Sequence, residues 1–132
     1  MNIPPIFLQF LVSLIAILAL FALARAMKLG GQPKLTDKGS VAFAAGEVED
    51  GYVAERVAIA RGGDAALARN AEGRIMVIKR HGNRFAGRVL TPEAKVREEV
   101  DAIIIDCDDV RFGKVRLSID DPGIWVDAIN RL

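Results

Sequence analysis

The chain reads as an α+β protein: an N-terminal transmembrane helix, then a small antiparallel β domain of about six strands, a meander or partly open barrel, capped by a C-terminal amphipathic helix. Three observations predict this. Ile6 to Ala24 contains no charged residue. From Val53 onward, apolar residues alternate with polar ones in short runs broken by Gly, Asn and Asp. After Asp121 and Pro122 the apolar spacing becomes helical.

At ~1.5 Å rise per residue the first run is ~28 Å long as a helix, close to the ~30 Å hydrocarbon thickness of a bilayer. Gln9 and Ser13 interrupt it, and a helix accommodates a lone amide or hydroxyl at far lower cost than a charge. Pro4 and Pro5 stand where the first turn has no intrahelical donors to lose. Arg25 and Lys28 follow the last apolar turn, and Gly30 and Gly31 offer left-handed residues to end the helix, so the anchor is expected over 1–29, closing near Leu29. A cleaved secretory signal would carry a basic segment before a shorter apolar core, yet no Lys or Arg precedes Ile6. A buried helix is disfavoured because a domain of ~100 residues has no interior able to cover such a run on all sides.

Arg25, Lys28, Lys34 and Lys38 lie on the C-terminal side of the span and no basic side chain lies on the other. That asymmetry predicts a single-pass protein of a bacterial-type inner membrane, N-terminus outside and C-terminal domain in the cytoplasm. Ala16, Ala19, Ala22 and Ala26 give the anchor a side of small residues that a neighbouring helix can approach. Cys107 is the sole cysteine, so no internal disulfide forms. The net charge of +1 provides no global basic excess for nucleic acid, and 27% charged residues fit an ordinary folded domain.

Residues 30–36 form a short linker stiffened by Pro33, and 37–132 one soluble domain. Thr36 or Asp37 caps a helix over about 37–49, with Val41, Ala44, Ala45 and Val48 at helical spacing. Strands follow over Val53–Arg61, Ala66–Arg69, Arg74–Lys79 and Arg84–Leu90, joined at Gly62–Asp64, Asn70–Gly73 and His81–Asn83. Thr91 and Pro92 break this meander, and Glu93–Glu99 reads as an exposed helical turn or loop. Ala102–Cys107, with Ile103, Ile104 and Ile105 adjacent, is the candidate central strand. Val115, Leu117 and Ile119 alternate with Lys114, Arg116 and Ser118 in a last strand. Asp120 or Asp121 caps the final helix, Pro122 takes its first position, and Ile124, Trp125, Ala128, Ile129 and Leu132 share the face that docks on the sheet through Trp125.

Six short strands followed by the helix in GIWVDAINRL resemble the pleckstrin-homology-like architecture over residues 52–132. The likeness implies a bent sheet of seven strands capped at one end by the helix, and it transfers no binding residue. The phrases HGNRFAGRVL and VRFGKVRLSI are similar to those of small bacterial single-span membrane proteins, which implies no activity.

Catalytic, cofactor and metal motifs are not expected. His81, the one histidine, lacks carboxylate or thiol partners at triad or zinc spacing and reads as a turn residue. Cys107 reads as a small hydrophobe at a strand end. Asp106, Asp108 and Asp109 form the densest acidic cluster, without the glycine and glutamate spacing of a calcium loop. GEVEDG and RGGD lack the lysine and following helix of a phosphate loop. Charge is lopsided: Arg56, Arg61, Arg69, Arg74, Lys79, Arg80, Arg84 and Arg88 precede Leu90, while Glu93, Glu98, Glu99, Asp101, Asp106, Asp108 and Asp109 follow it.

The function expected is therefore non-enzymatic: an accessory, assembly or docking module for a membrane complex, with a membrane-protein partner or a second copy of the chain. The alternative is a peripheral module that binds anionic membrane lipid through the basic meander 56–88. Arg74, Lys79, Arg80, Arg84 and Arg88 are the candidate lipid or partner contacts. Nucleic acid is disfavoured because Tyr52, Phe85 and Phe112 are the few aromatics available for stacking.

Overall fold

The computed structural model describes residues 4–26 and 33–132. The chain divides into two compact units, with the boundary between Gly31 and Gln32. The first contains α1 (Pro5–Ala26), an apolar helix long enough to cross a bilayer. Its first turn starts at Pro4, whose carbonyl accepts from the amides of Phe7 and Leu8. Ala16, Ala19, Ala22 and Ala26 are all exposed on it. The expected closure near Leu29 and the Gly30–Gly31 stop lie outside the described residues.

In the second unit α2 (Lys38–Val48) begins with a reciprocal cap: Asp37 Oδ1 accepts from the Ser40 amide at 2.7 Å, and Ser40 Oγ accepts from the Asp37 amide at 3.1 Å. Four strands follow in antiparallel order, β1 (Arg56–Ile59), β2 (Ala65–Arg69), β3 (Ile75–His81) and β4 (Arg84–Val89). A second antiparallel sheet has β6 (Ala102–Asp106) between β5 (Lys95–Glu99) and β7 (Lys114–Ser118). The chain ends with α3 (Pro122–Asn130), packed against β5 and β6.

Alternation along β2 and β3 sends side chains into two cores. Leu67, Ile75 and Val77 meet Ile103, Ile105 and Leu117 of the smaller sheet. Ala66, Ala68, Met76 and Ile78 meet Val41, Ala44 and Ala45 of α2. The unit is thus three-layered, helix on sheet on sheet, and the sheets do not close into a barrel.

The structure corrects the sequence reading at several points. Among the described residues there are seven strands rather than six, in sheets of four and three. The additional strand is β5, expected as a turn or loop. Its charged side chains hide the alternation, and pairing of Val96 with Ile105 of β6 holds it extended. Leu35, within the stretch read as linker, is buried, and its amide donates to the Gly63 carbonyl at 2.8 Å. Asp121 precedes α3 in a left-handed conformation (φ 53°) and makes no side-chain cap bond. Ile124 is 63% exposed, Ile129 is the buried residue of that helix, and Trp125 is half-buried at the core margin.

Gly63 combines a left-handed φ of +71° with close approach to the linker: a Cβ there would lie 2.9 Å from the Leu35 carbonyl oxygen. Gly63→Ala is expected to lower the unfolding free energy by ~1–3 kcal/mol. Gly46→Ala, at a helix position with nothing within 4 Å, should raise it by up to ~1 kcal/mol. Denaturant titration of the full chain in detergent micelles reads both, and equal midpoints would contradict the close approach at Gly63.

Candidate functional site

The five basic residues singled out from the sequence do not form one patch. Register places Lys79, Arg84 and Arg88 on the face of the β3–β4 ribbon that also carries Val77, and Arg80 on the face turned to α2. Arg74 stands ahead of β3, at the end of the turn Asn70–Gly73.

Most of these side chains are occupied within the domain. Arg74 Nη1 and Nη2 each donate to a Glu49 carboxylate oxygen at 2.7 Å, a two-pronged pair that ties the end of α2 to the sheet. The buried Tyr52 hydroxyl donates to the Arg74 carbonyl at 2.9 Å, and burial pushes its pKa up to about 12. Arg80 Nη1 donates to the Pro33 carbonyl at 2.9 Å. Arg88 Nε donates to Asp109 Oδ2 at 2.9 Å, and its guanidinium lies 5.1 Å from the centroid of the Phe112 ring. Lys79 shares that ring at 4.5 Å and donates to the Phe112 carbonyl. The Arg84 side chain is exposed and makes no hydrogen bond or ion pair among the described residues.

The acidic cluster forms turn bonds. Asp106 Oδ1 accepts from the Asp108 amide at 3.0 Å, and Asp109 Oδ1 accepts from the amides of Arg111 and Phe112. His81 is exposed at the β3–β4 hairpin. Cys107 is half-buried, and burial pushes its thiol above the usual range, which disfavours the nucleophilic thiolate. Tyr52 and Phe112 are buried, so they offer no open stacking face.

An apolar groove of ≈ 630 Å³ lies between the chain at Pro33–Leu35, α2 and the β3–β4 hairpin. Leu35, Ala44 and Phe85 line its floor, Phe43 stands over it at 72% exposure, and Lys34, Glu47 and Arg84 mark the rim. Sequence reasoning passed over this feature. Its signal is Phe43 itself, an aromatic lying off the helical stripe of Val41, Ala44, Ala45 and Val48.

The ion pairs make stability acid-sensitive. The Arg74 guanidinium holds Glu49 below its ordinary pKa, and Arg88 does the same for Asp109. A carboxylate whose folded pKa is depressed stabilises the fold above its unfolded pKa, and that contribution is lost as pH falls through the folded value. The unfolding midpoint is therefore expected to drop on acidification below about pH 4.5, with a shallower drop for Glu49→Gln. Denaturant titrations between about pH 3 and 7 measure both, and a variant as acid-sensitive as the parent would contradict the role of Glu49.

Against known proteins, the chain matches no protein-family model, no curated protein and no solved structure.

Proposed function

We propose that this chain is a non-enzymatic, single-span protein of an inner membrane, N-terminus outside, whose cytoplasmic domain is a docking module for a membrane-protein partner. The observation that carries this reading is the groove beneath Phe43. A large aromatic left 72% exposed beside buried Leu35 and Ala44 is the anatomy of an interface anchor. The apolar length of α1 supports the membrane anchor, and the basic residues from Arg25 to Lys38 support the orientation. The small side of α1 at Ala16, Ala19, Ala22 and Ala26 offers the same partner a packing surface within the bilayer.

A second reading sets the basic meander against anionic headgroups. Arg56, Arg69 and Arg84, which form no ion pair among the described residues, support it.

A photoreactive phenylalanine analogue at position 43 of the full-length protein separates the two in native membranes. Docking predicts one discrete protein adduct, of twice the protomer mass if the partner is a second copy. Adducts to phospholipid alone would contradict docking and favour the lipid surface.

A further inference from the structure

Each sheet ends in strands whose outer backbone groups need a partner, and among the described residues three of the four edges are protected. On β4, Gly87 turns its carbonyl outward, where Arg88 Nη1 donates to it at 2.8 Å. β5 carries Lys95, Arg97, Glu98 and Glu99 and has α3 packed against it. β7 carries Lys114 and Arg116, and its Ser118 carbonyl accepts from the Arg61 amide at 3.0 Å. The exception is β1. The Ala60 amide donates to the Ala65 carbonyl at 2.9 Å, and with this register Ala58 also faces β2, so Val57 and Ile59 direct their N–H and C=O groups away from the sheet.

That edge borders a groove of ≈ 520 Å³ whose opposite wall is the start of α3, where Ile124 is exposed and Trp125 half-buried. Arg56 opens β1 at one end of the groove; near its other end Asp120 is paired with Arg61 at 3.0 Å and Asp121 forms no ion pair among the described residues, while Lys38 lines the wall on the α2 side. The recess between two helix ends suits an extended peptide. A second folded copy would bring its own α2 and α3 against these walls.

We propose that this groove binds an extended peptide segment of a protein partner, added antiparallel to β1. Its four backbone hydrogen bonds go to Val57 and Ile59, an apolar side chain rests opposite Ala58 against Trp125, a basic residue near its N-terminal end meets Asp121, and an acidic residue near its C-terminal end meets Arg56. This site is separate from the Phe43 groove and does not depend on it.

Trp125 is the sole tryptophan of the chain, so its fluorescence reports occupancy directly. The full-length protein in detergent micelles is titrated with acetyl-Lys-Thr-Val-Ile-Val-Thr-Glu-amide and with its charge-reversed counterpart, acetyl-Glu-Thr-Val-Ile-Val-Thr-Lys-amide. Saturable change is expected with the first, and binding about fivefold or more weaker with the second, because two rim ion pairs become two repulsions. Val57→Pro removes one outward N–H that makes no bond within the sheet, so it should abolish the response while the far-UV spectrum is kept. Arg56→Glu combined with Asp121→Lys should invert the peptide preference. No saturable change with either peptide, equal affinity for both, or binding unaltered in a folded Val57→Pro variant would each overturn the proposal. So would a β1 edge already occupied by a second copy, seen as efficient disulfide-linked dimers of Ala58→Cys in a Cys107→Ser background.

Discussion

Small residues on both sides of the contact let α2 lie close on the four-stranded sheet. Ala44 and Ala45 of the helix face Ala66 and Ala68 of β2, and Gly87 of β4 sits beneath Val48, where a Cβ would come within 2.9 Å of the valine methyl. A sheet with its other face buried under Ile103, Ile105 and Leu117 can leave neither side wet. The larger side chains Val41, Met76 and Ile78 supply much of the hydrophobic stabilisation of that layer, at ~1.5–3 kcal/mol each when fully buried. The alanines set the distance at which they meet. The groove beneath Phe43 exists because the inner side of α2 is drawn onto the sheet while its outer side carries an aromatic.

Charge serves the same architecture. The basic half of the meander and the acidic half of the chain meet through Arg88 and Asp109, and Arg61 reaches Asp120 in the same way. Arg88 also covers the exposed carbonyl of its own edge strand and stacks on Phe112, so a single guanidinium joins two sheets and blunts one edge. Phe43 and Ile124 remain exposed, and the outer main chain of β1 has no strand partner among the described residues. Those features favour recognition by shape and backbone pairing over attraction by net charge.

Much of the fold was legible in the residues. Asp37 and Ser40 mark the start of α2, Pro122 that of α3, and the run Ile103–Ile105 marks the strand at the centre of its sheet. Local signals failed where tertiary pairing decides. β5 is extended because β6 lies beside it, and charges along KVREE conceal its period. Helical spacing placed Ile124 on the docking face, but the left-handed Asp121 sets how α3 enters, and Ile124 stays exposed. The basic residues were visible as a list. Which of them are tied up by Glu49, Asp109 and Pro33 depends on contacts across 21 to 47 residues of sequence. The β1 groove was invisible for a related reason, since an open edge is a property of sheet order.

Both candidate grooves rest on a rigid frame in which α2 is an integral layer. Amide hydrogen exchange of the full chain in micelles tests this most directly. If helix and sheet form one cooperative layer pair, the amides of Ala44 and Ala45 exchange only through the global opening that exposes Leu67 and Val77, with the same free energy and denaturant dependence. Exchange of the α2 amides through a cheaper local opening, while β2 and β3 stay protected, would contradict the account.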